Sequence, residues 1–220
     1  MKKIFLTLVT FLFSTGLHAQ YTAPPSRTVY ALAQLYVFHF WTGSNYSLSN
    51  DANRQAIIAF QKLTGLPRTG KLTDSTIARI ARWRLPAAHD SMHRYHIEVD
   101  LNHQVLFVVD SLDAIAHILS ISSGSGKAFD FPGKGTEFAR TPRGRFTVFY
   151  KVTGWKKSPL GLMFDPMYFR GGFAVHGSQS VPSTPVSHGC IRIPMFAAAE
   201  MFRESPIGTP VIVFGENPEP

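Results

Sequence analysis

The sequence predicts an α+β fold, a small N-terminal three-helix module followed by a mainly β domain, in a chain of 220 residues. Three observations carry that prediction. Up to about residue 81 the apolar residues recur at helical spacing. From Tyr95 onward they alternate with polar ones at the period of a strand. Glycines and prolines then divide the second half into short runs, with room for one helix.

Taken in chain order, residues 1–19 have the form of an export signal. Lys2 and Lys3 are followed by the apolar run Ile4–Phe13, and Leu17-His18-Ala19 precedes Gln20. A run this short does not cross a hydrocarbon core of about 30 Å. The expectation is cleavage after Ala19 and a mature protein at work in the periplasm, in the cell wall or outside the cell.

Residues 25–85 read as the helical module. Thr28–Trp41 is an aromatic-rich helix. Tyr36, Phe38, Phe40 and Trp41 either stack on sugar rings or fill a core, and helical aromatics generally pack inward. In 51–64, Ala56, Ile57, Phe60 and Leu63 share a helical face, and Gly65 supplies a stop. Gly65-Leu66-Pro67-Arg68-Thr69-Gly70 is turn chemistry. Thr73 caps a third helix whose buried side is expected at Ile77, Ile80 and Ala81. Leu85–His89 reads as a linker.

Residues 93–215 read as the β domain. Tyr95, Ile97, Val99 and Leu101 alternate with His96, Glu98 and Asp100, the pattern of a half-buried strand. Asn102-His103 turns the chain back into Val105–Val109. Further β-like runs are Ile115–Ser122, Gly144–Val152, Gly172–His176 and Pro210–Phe214, and Met195–Arg203 after Pro194 is the helix.

The formal charge of +8 is uneven. Residues 20–89 carry eight Lys/Arg against Asp51 and Asp74, whereas 90–220 is balanced. Such an excess is either a solvated surface or an attraction to an anionic partner, which outside the cytoplasm means wall polymers or lipid headgroups. No arginine-rich stripe, zinc finger or RNP-like motif points to nucleic acid.

The single cysteine excludes an internal disulfide scaffold. In an exported protein an unpaired cysteine suggests intermolecular pairing or a reactive thiol. Cys190 lies in Ser187-His188-Gly189-Cys190-Ile191-Arg192, and His176-Gly177 closes a strand upstream. A thiol near pKa ~8.5 is mostly protonated at neutral pH, and an adjacent imidazole can take its proton and hold the resulting ion pair. His176 is the candidate base. Gly189 permits a tight turn that aims neighbouring amides at one spot, an oxyanion site. Arg192 can hold a substrate carboxylate in a two-pronged contact. Bland readings compete: Cys190 as a small buried hydrophobe, the histidines as partners of loop carbonyls, or His176, His188 and Cys190 as zinc ligands short of a fourth. The chain contains no Ser-x-x-Lys, Gly-x-Ser-x-Gly or His-Glu-x-x-His.

At these residues the sequence resembles the L,D-transpeptidase (YkuD-type) catalytic domain. The likeness rests on His176, on Ser187-His188-Gly189-Cys190 with Arg192, on Thr141-Pro142-Arg143-Gly144-Arg145-Phe146 and on Ile207-Gly208-Thr209-Pro210-Val211. Residues 51–81 resemble the second half of a peptidoglycan-binding helical module. The resemblance implies an exported cysteine peptidyltransferase acting on peptidoglycan stem peptides. Cys190 would attack the carbonyl before the terminal D-alanine, His176 would act as base and then acid, and the Gly177 carbonyl would hold its imidazole. Backbone amides of His188, Gly189 and Cys190 would form the oxyanion hole, with Ser187 and Arg192 beside them. An amine would take the acyl group, giving a third-position cross-link. The alternatives are an L,D-carboxypeptidase or wall-link hydrolase on the same fold, or an inactive peptidoglycan-binding protein. No metal or other cofactor is implied. Carbapenem acylation of Cys190 is implied, as is attraction of the basic module to the anionic wall.

Overall fold

The computed structural model describes residues 26–42, 47 and 50–219; the expected export signal lies outside them. Three helices lead: α1 (Arg27–Val37), α2 (Asp51–Leu63) and α3 (Asp74–Ile80). Each begins on a side-chain cap, with Ser26 Oγ accepting from Val29 N–H, Asn50 Oδ1 from Ala52 N–H and Thr73 Oγ1 from Thr76 N–H. Helix α1 stops earlier than its aromatic run suggests. His39 adopts φ 64°, and the chain turns so that Trp41 N–H donates to Ile118 O. Of the aromatics, Phe40 is buried, Phe38 and Trp41 are partly buried against the core, and Tyr36 is exposed. Ala81, expected on the buried side of α3, is exposed because the helix ends at Ile80.

Two five-stranded sheets and a hairpin follow. The strands are β1 (His96–Asp100), β2 (Val105–Val109), β3 (Ile115–Ser120), β4 (Ala128–Phe131), β5 (Gly135–Phe138), β6 (Gly144–Thr147), β7 (Tyr150–Lys151), β8 (Trp155–Ser158), β9 (Gly161–Arg170), β10 (Phe173–Ser178), β11 (Ile191–Pro194) and β12 (Pro210–Phe214), with α4 (Met195–Glu204) before the last. The first sheet runs β3-β2-β1-β12-β6, and β1 and β12 are parallel. The second runs β11-β10-β9-β7, with β8 also on β9 and with β10 and β11 parallel. Strands β4 and β5 form the separate hairpin.

One core fills the space between the sheets: Ile97, Val99, Leu106 and Val213 from the first, Met167, Val175, Ile191 and Ile193 from the second, Ala198 and Met201 from α4. A second core lies on the opposite face of β2 and β3. There Val105, Phe107, Val109, Ile115 and Ile118 meet Leu32 and Leu35 of α1 and Ile57 and Phe60 of α2. Burying a side chain such as Phe60 contributes roughly 2–3 kcal/mol. The helices and the sheet therefore share one apolar layer.

This arrangement corrects the expectation of a half-buried β1. All five of its residues are buried, the polar ones included. The strand is central, and the linker crosses its other face. Glu98 accepts hydrogen bonds from the His89 and Asp90 N–H groups and pairs with His96 Nε2. A carboxylate with these partners tolerates complete burial.

Two basic side chains of the helical module face the β domain. Arg68 donates to Ser183 O, and Lys62 is buried, donating to Gln104 O at 3.1 Å, Ser120 Oγ at 2.9 Å and Ile121 O at 2.7 Å. Burial, with the Arg68 charge adding to it, lowers the Lys62 pKa to about 7. A lysine whose folded pKa lies below its unfolded value loses its proton first in the folded state. Stability therefore rises with pH between about 7 and 10.5. Lys62→Met removes a donor from three buried acceptors, of which Gln104 O keeps the Ile121 N–H, and is expected to cost about 2 kcal/mol at pH 7. The same variant removes the alkaline gain, and chemical denaturation at pH 7 and 9 checks both effects.

Candidate active site

Strands β10 and β11 bring the sequence-predicted residues together. Their parallel register pairs Val175 with Ile191 and His176 with Arg192. Val175, Ile191 and Ile193 point into the core between the sheets. Period-two alternation therefore places His176, Arg192 and Cys190, which immediately precedes β11, on the other face. Gly177 returns to the core side, where a Cβ would lie 2.7 Å from the Ala198 Cβ and 3.2 Å from the Met195 sulfur. Only glycine lets α4 pack this closely beneath the histidine.

His176 is almost wholly buried, and its Nδ1 lies 2.9 Å from Gly177 O. A carbonyl only accepts, so Nδ1 carries the proton and Nε2 keeps its lone pair. Burial pushes the His176 pKa down to about 4; the Gly177 hydrogen bond opposes this and the Arg192 charge adds to it. Burial also raises the Cys190 thiol pKa, against a backbone hydrogen bond from Ala174 and the charge of Arg192. The thiol points at Gly172 O, 3.7 Å away, and Cys190 itself remains partly exposed. Both shifts favour a neutral thiol and a neutral imidazole over a standing ion pair. Low polarity around both groups penalises charge separation before a substrate arrives.

The loop before Cys190 is closed on itself. Ser187 Oγ accepts the Gly189 N–H at 3.0 Å and donates to Cys190 O at 2.5 Å. With its N–H engaged, Gly189 presents no donor to an oxyanion in this arrangement. Its φ is 126°, and a Cβ there would lie 2.5 Å from the Phe173 ring and 2.8 Å from Arg140 O. Gly189→Ala is expected to lose about 2–4 kcal/mol of stability and nearly all activity, checked by thermal denaturation and by assay of the soluble variant. His188 lies against Phe129 of β4, ring centroids 4.5 Å apart, so the hairpin flanks the Ser187–Cys190 loop. Burial and Arg192 lower its pKa. Arg192 also joins the loop after β3, exchanging backbone hydrogen bonds with Ser122 in both directions at 3.1 Å.

Three surroundings of Cys190 escape sequence reasoning: the Gly172 carbonyl, the Ala174 N–H, and Tyr168, which pairs with Ala174 and whose pKa is raised by burial first and then by Cys190. All depend on cross-strand register. Among the described residues no group of three or more His, Cys, Asp or Glu side chains is arranged to hold a metal ion.

A buried histidine locked on the carbonyl that follows it, on the same sheet face as the cysteine of Ser-His-Gly-Cys, is the arrangement that the sequence likeness leads one to look for. Residues 94–213 match the YkuD family, described as the L,D-transpeptidase catalytic domain. The chain belongs to this family. Among solved structures it is similar to the L,D-transpeptidase of Xylanimonas cellulosilytica, with 35% identity and a TM-score of 0.78 over 86% of this chain and 94% of that one. That coverage exceeds the 94–213 match, so the likeness includes described residues outside it. The L,D-transpeptidase of Stackebrandtia nassauensis, at 22% identity and a TM-score of 0.53 over 89% of this chain and 94% of that one, shares the fold. No curated protein matches the chain.

Proposed function

We propose that this L,D-transpeptidase-family chain is an exported cysteine acyltransferase that cross-links peptidoglycan stem peptides. The observation that carries this reading is His176, its Nδ1 proton committed to Gly177 O, which leaves the Nε2 lone pair available on the sheet face that carries Cys190. The Cys190 sulfur attacks the carbonyl before the terminal D-alanine while the thiol proton passes to His176 Nε2. His176 returns that proton to the leaving amine as the C–N bond breaks, and a thioester remains. An acceptor amine then attacks the thioester, and the thiol is restored. Backbone N–H groups of His188 and Cys190 supply the oxyanion site, and Arg192 orients a substrate carboxylate.

The test is mass spectrometry of muropeptides after incubation with the purified protein. Cross-linked dimers joined through third-position residues are expected, with free D-alanine. Tripeptides alone would make it a carboxypeptidase, severed links a hydrolase, and unchanged muropeptides would overturn the reading. As the resemblance to the family implies, a carbapenem should add to Cys190 as a stable acyl group seen by intact mass. Export rests on residues 1–19; an N-terminus at Gln20 in material recovered from outside the cytoplasm would support it.

A further inference from the structure

The oxyanion site raises a question of aim, because Gly189 has its own N–H engaged by Ser187. One donor of the proposed oxyanion site is the N–H of Cys190, whose direction depends on the plane of the Gly189–Cys190 peptide. In a planar trans peptide the C=O and the following N–H point in opposite directions. Whatever holds the Gly189 oxygen therefore aims the Cys190 N–H.

That oxygen is held by Thr141, whose Oγ1–H donates to Gly189 O at 2.8 Å. The hydroxyl has one proton, and Gly124 N–H donates to the same Oγ1 at 3.0 Å, which leaves the proton for Gly189. Thr141 is buried, so water does not compete for it. The Thr141 backbone is fixed in turn by one side chain: Asn217 Oδ1 accepts its N–H at 2.7 Å, and Asn217 Nδ2 donates to its O at 3.0 Å. Asn217 lies in the tail after β12. The tail is tied down where Glu216 N–H donates to Asn102 Oδ1 at 2.8 Å and where Arg143 donates to Gly215 O at 3.1 Å. A run of hydrogen bonds thus leads from the C-terminal tail to the peptide bond before the nucleophile.

We propose that Thr141 and Asn217 are positioning residues for acyl transfer, orienting the Gly189–Cys190 peptide so that the Cys190 N–H meets the oxyanion. The proposal rests on the cysteine mechanism above, and its test separates the two. Two reagents are used on the full chain. With p-nitrophenyl acetate, the thiol sulfur bonds to the acyl carbon, p-nitrophenolate leaves, and the thiol proton passes through His176 to solvent; an oxyanion forms on the way. With iodoacetamide, the sulfur displaces iodide from a methylene carbon and no oxyanion forms. Both adducts on Cys190 are followed by intact mass.

Removing an oxyanion donor outright costs about 10²–10³ in rate, so misaiming one should cost somewhat less. Thr141→Val is expected to slow acylation by about 10- to 100-fold and Asn217→Ala by up to about tenfold. Alkylation should stay within about twofold in both, and Thr141→Ser, which keeps the hydroxyl, should recover most of the acylation rate. Equal losses of acylation and alkylation would overturn the proposal in favour of a role in folding alone, and so would unchanged acylation. Asn217→Ala alters only the tail and keeps the comparison available if Thr141→Val does not fold. A wild-type protein that is alkylated but never acylated at Cys190 would overturn the cysteine mechanism, and the positioning role with it.

Discussion

Replacing Cys190 with alanine is expected to abolish the release of D-alanine from a tetrapeptide. The expected loss is on the order of a millionfold, the scale on which a covalent enzyme loses its nucleophile. The substitution removes a sulfur that lies 3.7 Å from Gly172 O and takes a hydrogen bond from the Ala174 N–H, and it leaves the backbone of the loop in place. The fold should therefore be unaffected, with a thermal transition close to that of the wild type. A variant that folds and still releases D-alanine at the original rate would refute the nucleophile assignment. The same preparation should lack the acyl adduct when treated with a carbapenem.

The second large effect belongs to His176. Substitution by alanine removes the proposed base for the thiol proton, with an expected loss of about 10²–10⁴. The pH profile is the more telling readout. The imidazole is held down to a pKa of about 4 by burial, so Nε2 remains unprotonated through the range where an exposed histidine titrates. The acid limb of kcat/KM should fall near pH 4, not near 6.5. An acid limb near 6.5 would mean that another group supplies the base. Stability follows the same group with a definite sign. The unfolded histidine binds its proton near pH 6.5 and the folded one only near 4, so stability is lost as pH falls through that interval. His176→Gln should flatten this loss, as read by urea midpoints between pH 7 and 4.

Much of this site is legible in the chain itself because it is local. Ser187, His188, Gly189 and Cys190 are adjacent, and the bonds from Gly189 N–H to Ser187 Oγ and from Ser187 Oγ–H to Cys190 O span two and three residues. The His176–Gly177 pair is equally local. Thr141 belongs to a recognisable motif, but its task at Gly189 spans 48 residues, and that of Asn217 at Thr141 spans 76. Spacing says nothing about partners brought together only by a sheet and a tail.

The same contrast holds for the fold. Pro210–Phe214 and the start of α4 after Pro194 can be read from pattern and punctuation. The longest strand, β9, escapes that reading because Pro166 sits within it. Asp165 takes a positive φ there and accepts the Gly154 N–H, so the irregularity is absorbed by a side chain. Strand β1 misleads in the opposite way. Its alternation is genuine, but the linker covers the face that would otherwise meet water.

The apolar layer shared by α1, α2 and the outer face of β2 and β3 bears on how such an enzyme can be rebuilt. The helical segment is not a cartridge that can be exchanged at the linker. A graft that kept only residues 93–215 would present Val105, Phe107, Val109, Ile115 and Ile118 to solvent as one continuous patch. Such a patch invites aggregation, or association with whatever hydrophobic surface is nearby. A transplantable version would need those five positions recoded as polar, together with a new donor for the Ile121 carbonyl now served by Lys62.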